Sequence, residues 1–356
     1  MTHIAIQRLH NQQLEQSNLS TPGQVVAWFG AVQAQEYGLA KWALGLRMPQ
    51  ATDVAIEQAF AEGTILRTHI MRPTWHFVTP DDIGWIMALT APRVQAFNAT
   101  YYRKYELDET VLVRSHEVMK NALQGGNQLT RAEIAAALAQ DGIVTDSYRL
   151  AYILHYAELE ALICSGARRG KQFTYALLDE RAPQTRTLTK DEALAELTQR
   201  YFMSHGPAQM KDFAWWSGLT VADAKVGLEL CKPLFVEEVI DGKSYWLTAA
   251  ASTPQTSSQK ALLLPVYDEF VVGYTDRHAV FDAAYTDKLL YGSNVVFEST
   301  IVIEGQVVGR WQRTFRKGAV VIESVRYRSF SAEEEDAFAA AAHRYGEFLG
   351  LPVVFA

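Results

Sequence analysis

Cysteine is almost missing from this chain: Cys164 and Cys231 are the only two in 356 residues. A disulfide-stapled secreted fold is thereby excluded. Neither cysteine has the neighbouring Cys or His spacing of a zinc site, and each lies in an apolar helical context that suits a buried thiol. No apolar run approaches the roughly 18 residues a membrane-spanning helix needs, and the opening Met1-Thr2-His3-Ile4-Ala5-Ile6-Gln7-Arg8 lacks the apolar core of a signal peptide. A cytoplasmic protein is the expectation. An excess of positive charge is missing too, since the formal charge is −7 and the pI about 5.8. Nucleic acid cannot be held by bulk charge, so a polyanionic partner has to be met by local patches. There is also no phosphate loop, Gly-x-Ser-x-Gly elbow, dinucleotide fingerprint or metal-ligand cluster. No metal or cofactor is expected, and any catalysis must use amides or isolated carboxylates.

What the chain does have is apolar content, 49% of its residues, at a length where single cores usually split into several units. Helix starts are legible, because a Thr or Ser able to accept a backbone N–H precedes Gln, Glu or Asp by three residues. Thr21/Gln24, Thr79/Asp82, Thr130/Glu133, Thr189/Glu192, Thr220/Asp223 and Ser331/Glu334 fit, with Pro22 and Pro80 at first helical positions. Hairpins follow the helices. Ile65–Met71 and Thr74–Val78 read as strands around Arg72-Pro73, and the Asp53–Ala61 helix before them closes at Gly63. A second set runs through helices at Glu117–Met119, Arg131–Ala139 and Leu150–Ile163 to a basic, glycine-containing tip at 165–171 and a returning strand at 173–176. A third runs through Glu192–Phe202, Lys211–Trp216 and Val221–Leu230 to a hairpin turning at Asp241-Gly242. Helices followed by a hairpin is the winged-helix order.

The reading is therefore α+β: tandem winged-helix units at 1–105, 106–187 and 188–250, and a strand-rich cap at 251–356. The cap opens with a polar linker at 251–260. It continues through a meander of Val295–Ile303, Val307–Phe315 and Ala319–Tyr327 with turns at Glu304-Gly305 and Lys317-Gly318, and ends in a helix from Ala332 to Phe348 stopped by Gly350.

Within this frame, Val32-Gln33-Ala34-Gln35 follows an apolar helical run, and Gly38 suggests that the helix ends close by. Two amides one residue apart share a face only in extended backbone, so if both work, the segment is not helical. Residues 306–328 carry six basic side chains (Arg310, Arg313, Arg316, Lys317, Arg326, Arg328) against Glu323 alone, leaving −12 for the rest of the chain. Alternation puts Arg310 and Arg313 on opposite faces, so the patch is two-sided unless its hairpin projects freely. It is either a groove-entering hairpin or a solvated sheet edge blunted by charge. The Arg168, Arg169, Lys171 tip is a candidate phosphate site or a solvated loop. His76, alternating with aromatics, suits a hydrogen-bonded strand residue. Asp268 and Glu269, if in a strand, face opposite ways, which leaves one of them as a structural anion.

Val32-Gln33-Ala34-Gln35, Trp42–Arg47, Leu66–Val78, Leu263–Phe270, Gly273–Arg277 and Gly309-Arg310-Trp311 together resemble the bacterial winged-helix DNA glycosylases that excise alkylated purines and unhook alkylation crosslinks, in their Gln-x-Gln branch. The resemblance implies that Gln33 and Gln35 are a catalytic pair holding water at the anomeric carbon. It further implies that Arg67, Thr68, Arg72 and His76 scaffold that pair, and that double-stranded DNA with N7- or N3-alkylpurines is the partner; a nucleoid-associated monomer is a separate expectation. A non-catalytic winged-helix regulator of transcription, or a protein scaffold of the same fold, is the alternative left by the residues alone.

Overall fold

The computed structural model describes residues 2–249, 261–282, 284–285, 290–291, 294–295 and 297–356. Helix α1 (Thr2–Asn11) precedes α2 (Pro22–Phe29), where Thr21 and Gln24 form the reciprocal cap expected of them. Gly30, at φ 85°, ends α2 and turns the chain into strand β1 (Val32–Gln33). The helix stop is thus Gly30. Gly38 instead lies in the first turn of α3 (Tyr37–Gly45), where it leaves room for the Arg313 guanidinium. Helix α4 (Asp53–Glu62) closes at left-handed Gly63, and β2 (Leu66–His69) and β3 (Trp75–Val78) follow, giving a sheet ordered β1-β3-β2.

The long α5 (Pro80–Lys104) leads to α6 (Glu109–Leu123), β4 (Leu129–Thr130), α7 (Arg131–Gln140) and α8 (Ser147–Leu159). The Thr79 hydroxyl accepts no backbone N–H of α5; it donates instead to Asp82, whose carboxylate also binds Arg200. Helix α8 stops short of Ile163 because Ala161 takes φ 55°, and β5 (Ile163–Ser165) then pairs with β6 (Thr174–Leu177). Cys164 accordingly sits in a strand rather than a helix, buried, as is Cys231. A short α9 (Leu178–Arg181) precedes α10 (Lys190–His205), α11 (Met210–Ser217), α12 (Val221–Cys231) and the two-stranded ribbon β7 (Phe235–Ile240) and β8 (Lys243–Thr248). Asp241 and Gly242, both at positive φ, make the expected tight turn.

The proposed linker at 251–260 lies outside the described residues. Beyond it come β9 (Ala261–Leu264), α13 (Glu269–Val272), β10 (Leu290–Tyr291), β11 (Asn294–Val295), β12 (Thr300–Ile303), β13 (Gln306–Arg316), β14 (Ala319–Arg326), α14 (Ala332–Leu349) and β15 (Val353–Phe355). The single strand expected over Val295–Ile303 is interrupted: Val295 pairs with Leu290, and Phe297–Ser299 is not a strand. The main sheet runs β15-β14-β13-β12-β9, antiparallel except for β14 with β15.

Core packing joins distant segments. One apolar cluster combines α1–α4 residues such as Val26, Phe29 and Trp42 with Leu263, Trp311 and Tyr345, and the Trp42 indole donates to the Leu263 carbonyl at 2.7 Å. A second gathers Leu66, Ile70 and Met71 with Tyr201, Phe213 and Trp216. A third stays within α5–α8 and β5–β6. At the second, left-handed Gly218 (φ 72°) ends α11 where an added Cβ would lie 2.4 Å from the Met71 carbonyl. We expect Gly218→Ala to cost roughly 1–3 kcal/mol, from the strained φ together with displacement of the β2–β3 turn. Chemical denaturation reads this, and an unchanged midpoint would show that the turn yields freely.

Candidate active site

The Gln-x-Gln segment is extended. Val32 pairs with Phe77 and Gln33 with His76, and the Ala34 N–H donates to the Trp75 carbonyl at 2.7 Å. There the ladder is diverted. The Ala34 carbonyl accepts from Arg67 Nε at 3.0 Å, and the Trp75 N–H donates to Gln35 Oε1 at 3.2 Å. Gln33 Oε1 accepts from an Arg72 Nη at 2.8 Å. Both carboxamide oxygens therefore reach the β2–β3 turn, held by donors three residues apart. The pair is unequal in exposure: Gln33 is 5% exposed, whereas Gln35 is open to solvent.

Charge brackets Gln33. Its backbone N–H donates to Glu269 Oε1 at 3.0 Å, and Glu269 Oε2 accepts from the Trp216 indole at 2.8 Å and lies 3.3 Å from His205 Nε2. Burial works against ionisation of Glu269, but the contacts from His205, the Gln33 N–H and Trp216 hold its carboxyl below the ordinary value. On the other side, burial draws the Arg72 guanidinium down against the pull of Glu269, and Arg72 lies 4.3 Å over the Trp215 ring. The neighbouring Asp268 forms a two-pronged pair with Arg47, both contacts 2.8 Å, and caps α13 through the Phe270 N–H at 3.0 Å. The expectation of a strand here is corrected: Asp268 caps a short helix that Glu269 begins, and both are buried anions because each meets dedicated donors.

The other scaffold candidates also lie on this hairpin. Arg67 is sandwiched between Trp75 (4.1 Å) and Phe173 (4.6 Å), and burial lowers its guanidinium to about 10. Thr68 is buried, with its hydroxyl 3.5 Å from Glu158. His76 is fully buried with Nδ1 2.9 Å from the Thr74 carbonyl, and burial pushes it down to about 3, so its ring is neutral.

The basic candidates disperse. Arg168 pairs with Glu57 at 3.3 Å and lies over Tyr37, while Arg169 pairs with Glu133 at 2.8 Å. Arg313 packs beside Gly38 and donates to the Tyr345 hydroxyl; with Arg310 and Glu36 it lines a cleft of about 340 Å³ beside the motif. Arg310 pairs with Glu298 at 2.7 Å, Arg326 with Glu335 and Arg328 with Glu334. The hairpin does not project freely, because β15 pairs along β14 at Val320–Ile322. Lys171, Arg316 and Lys317 are exposed. Among the described residues no group of three or more His, Cys, Asp or Glu could hold a metal ion, and no helix is long and apolar enough to cross a membrane.

One titratable cluster was not singled out from sequence. His69 Nδ1 lies 2.5 Å from Glu158 Oε2, and the His69 and His155 rings are 4.3 Å apart. The available signal was His155 and Glu158 three apart in an apolar stretch of α8, which puts them on one buried face. Burial raises the Glu158 carboxyl to about 8 and lowers both histidines to about 3. A raised carboxyl contributes stability that is complete below its unfolded value and lost as pH climbs through 8. The depressed histidines contribute stability lost as pH falls from about 6.5 toward 3. We expect the thermal midpoint to decline between pH 6 and pH 8 and Glu158→Gln to flatten that decline. Parallel slopes for both proteins would contradict it.

The family model for AlkZ-like DNA glycosylases matches residues 26–348. The interstrand DNA cross-link repair glycosylase of Streptomyces sahachiroi is 24% identical over 322 residues, covering 86% of this chain and 85% of that protein. The solved structure of Streptomyces sahachiroi DNA glycosylase AlkZ shares the fold, with a TM-score of 0.80 at 20% identity, covering 100% of this chain and 99% of that one. With the family model spanning most of the sequence, this chain belongs to the AlkZ-like DNA glycosylase family.

Proposed function

We propose that this DNA glycosylase hydrolyses the N-glycosidic bond of N7- and N3-alkylated purines in duplex DNA, with Gln33 and Gln35 directing the attacking water. The observation that carries the reading is the fixing of both carboxamide oxygens by donors of one turn, Arg72 and the Trp75 N–H. Each oxygen keeps a second lone pair able to accept from one water. An alkylated purine is already cationic and leaves as a neutral base, so no general acid is required. What remains is to position water and tolerate an oxocarbenium-like transition state, which neutral amide dipoles do through preorganisation. The buried Glu269 carboxylate balances Arg72 beside the developing positive charge.

The printed function of the Streptomyces relative supports extending the substrates to interstrand crosslinks. We read the three helix–hairpin sets as winged helices at 1–105, 106–187 and 188–250 with a cap at 251–356. The protein acts as a monomer at the nucleoid, its phosphate contacts coming from the exposed Lys171, Arg316 and Lys317, from Arg310, Arg168, Arg169 and Arg326 once their carboxylate partners yield, and from Arg313 once it leaves the Tyr345 hydroxyl. Membership of a glycosylase family sets aside the non-catalytic regulator. The test is incubation with a duplex bearing one N7-methylguanine, scoring abasic sites after alkali. Binding without base release would overturn the assigned substrate.

A further inference from the structure

Arg72 and Arg277 are held differently from the basic candidates read from sequence. Arg168, Arg169, Arg310, Arg326 and Arg328 each meet a carboxylate, whereas neither Arg72 nor Arg277 forms an ion pair among the described residues. Both pack on one ring instead. The Arg72 guanidinium lies 4.3 Å from the centre of the Trp215 ring on α11, and that of Arg277 lies 5.7 Å from it and 5.0 Å from Phe297. Aromatic packing thus brings two like charges together beside Gln33.

Each guanidinium is fixed on one side and free on the other. Arg72 donates one Nη to Gln33 Oε1, while Arg277 donates from Nε to the Val271 carbonyl at 2.9 Å and from Nη1 to the Thr275 carbonyl at 3.5 Å. The remaining Nη of each makes no hydrogen bond among the described residues, and neither is enclosed. The acids whose charge reaches these groups are committed elsewhere: Glu269 to the Gln33 N–H and Trp216, Asp212 to the Thr275 N–H at 2.9 Å, and Asp276 to Lys243 at 2.6 Å. Burial lowers the Arg277 guanidinium to about 10, and the Arg72 charge adds to the lowering. An anion seated on the two free nitrogens relieves that repulsion.

We propose that Arg72 and Arg277 clamp one backbone phosphate of the damaged DNA strand beside Gln33. Guanidinium–phosphate hydrogen bonds are charge-assisted, and two forks held on one indole offer donors from both sides of the phosphate. The clamp also removes an electrostatic difficulty. Two uncompensated guanidinium charges disfavour a cationic transition state next to Gln33, and a phosphate between them offsets that penalty. Assignment to the damaged strand rests on the reading of Gln33 and Gln35 as the reacting centre.

The experiment is equilibrium anisotropy with the full chain and labelled duplexes bearing one N7-methylguanine on a 2′-fluorinated sugar, so that the glycosidic bond survives. Uncharged methylphosphonates replace the phosphates around the lesion one at a time, on either strand. One position on the damaged strand weakens wild-type binding about tenfold and lowers the slope of log affinity against log salt by about 0.9. Arg277→Gln binds the all-phosphate duplex about tenfold more weakly and is indifferent to a methylphosphonate at that position, whereas Arg277→Lys stays sensitive to it. A wild-type scan with no sensitive position on the damaged strand overturns the proposal, and that arm needs no variant to fold. Losses in Arg277→Gln that simply add to those of every methylphosphonate overturn it too. Because nothing is cleaved, a failure of the glutamine roles, seen as undiminished base release, is distinguishable from a failure here.

Discussion

Replacing either glutamine by alanine lowers single-turnover release of N7-methylguanine roughly 10²–10³-fold while leaving duplex affinity unchanged. The size follows from the geometry. Each carboxamide is held by one fixed donor, Arg72 Nη at 2.8 Å for Gln33 and the Trp75 N–H at 3.2 Å for Gln35, so neither reorients during reaction. On the proposed mechanism truncation removes an acceptor for the water. If both oxygens address that one water, as proposed, the two losses are not additive. Quench-flow base release on the two single variants and the double variant checks this, and full activity in both singles removes the glutamines from the mechanism. An Arg72→Lys substitution separates positioning from chemistry, since lysine keeps the charge but not the planar fork.

The largest stability effect is expected at Asp268. Its carboxylate and the Arg47 guanidinium are each 1% exposed and meet through two contacts of 2.8 Å, and Arg47 also donates to the Gln12 carbonyl at 3.0 Å. Asp268→Ala strands a buried guanidinium and uncaps α13, at an expected cost of about 3–5 kcal/mol. Urea denaturation measures it. Because Glu269 is the next residue and anchors the Gln33 strand, base release should fall as well, even in the folded fraction. A loss below about 1 kcal/mol would mean that water reaches the pair and replaces the carboxylate.

How much was legible varies with the range of the interaction. The caps at Thr21, Thr130, Thr189 and Ser331 formed as their four-residue patterns specify, because a cap involves only its own first turn. Thr79 departed from its pattern where a distant residue intervened: Asp82 is claimed by Arg200, 118 positions away. The charge count over 306–328 was right as a sum, yet Glu298, Glu334 and Glu335 lie outside that window and take three of its arginines. His69, His155 and Glu158 went unremarked because their meeting depends on β2 packing against α8.

By itself the sequence determined the alternation of capped helices and hairpins, the condition that Gln33 and Gln35 share a face only in extended backbone, and a family resemblance. These depend on local propensity and on a few adjacent residues. Tertiary structure alone decided that Arg72 and the Trp75 N–H fix the two amides and that Glu269, at the start of α13, reaches the Gln33 backbone. Those contacts join residues 39 to 236 positions apart. A pattern in sequence fixes which face of an element is apolar, but only closing the chain on itself determines which polar groups are buried together.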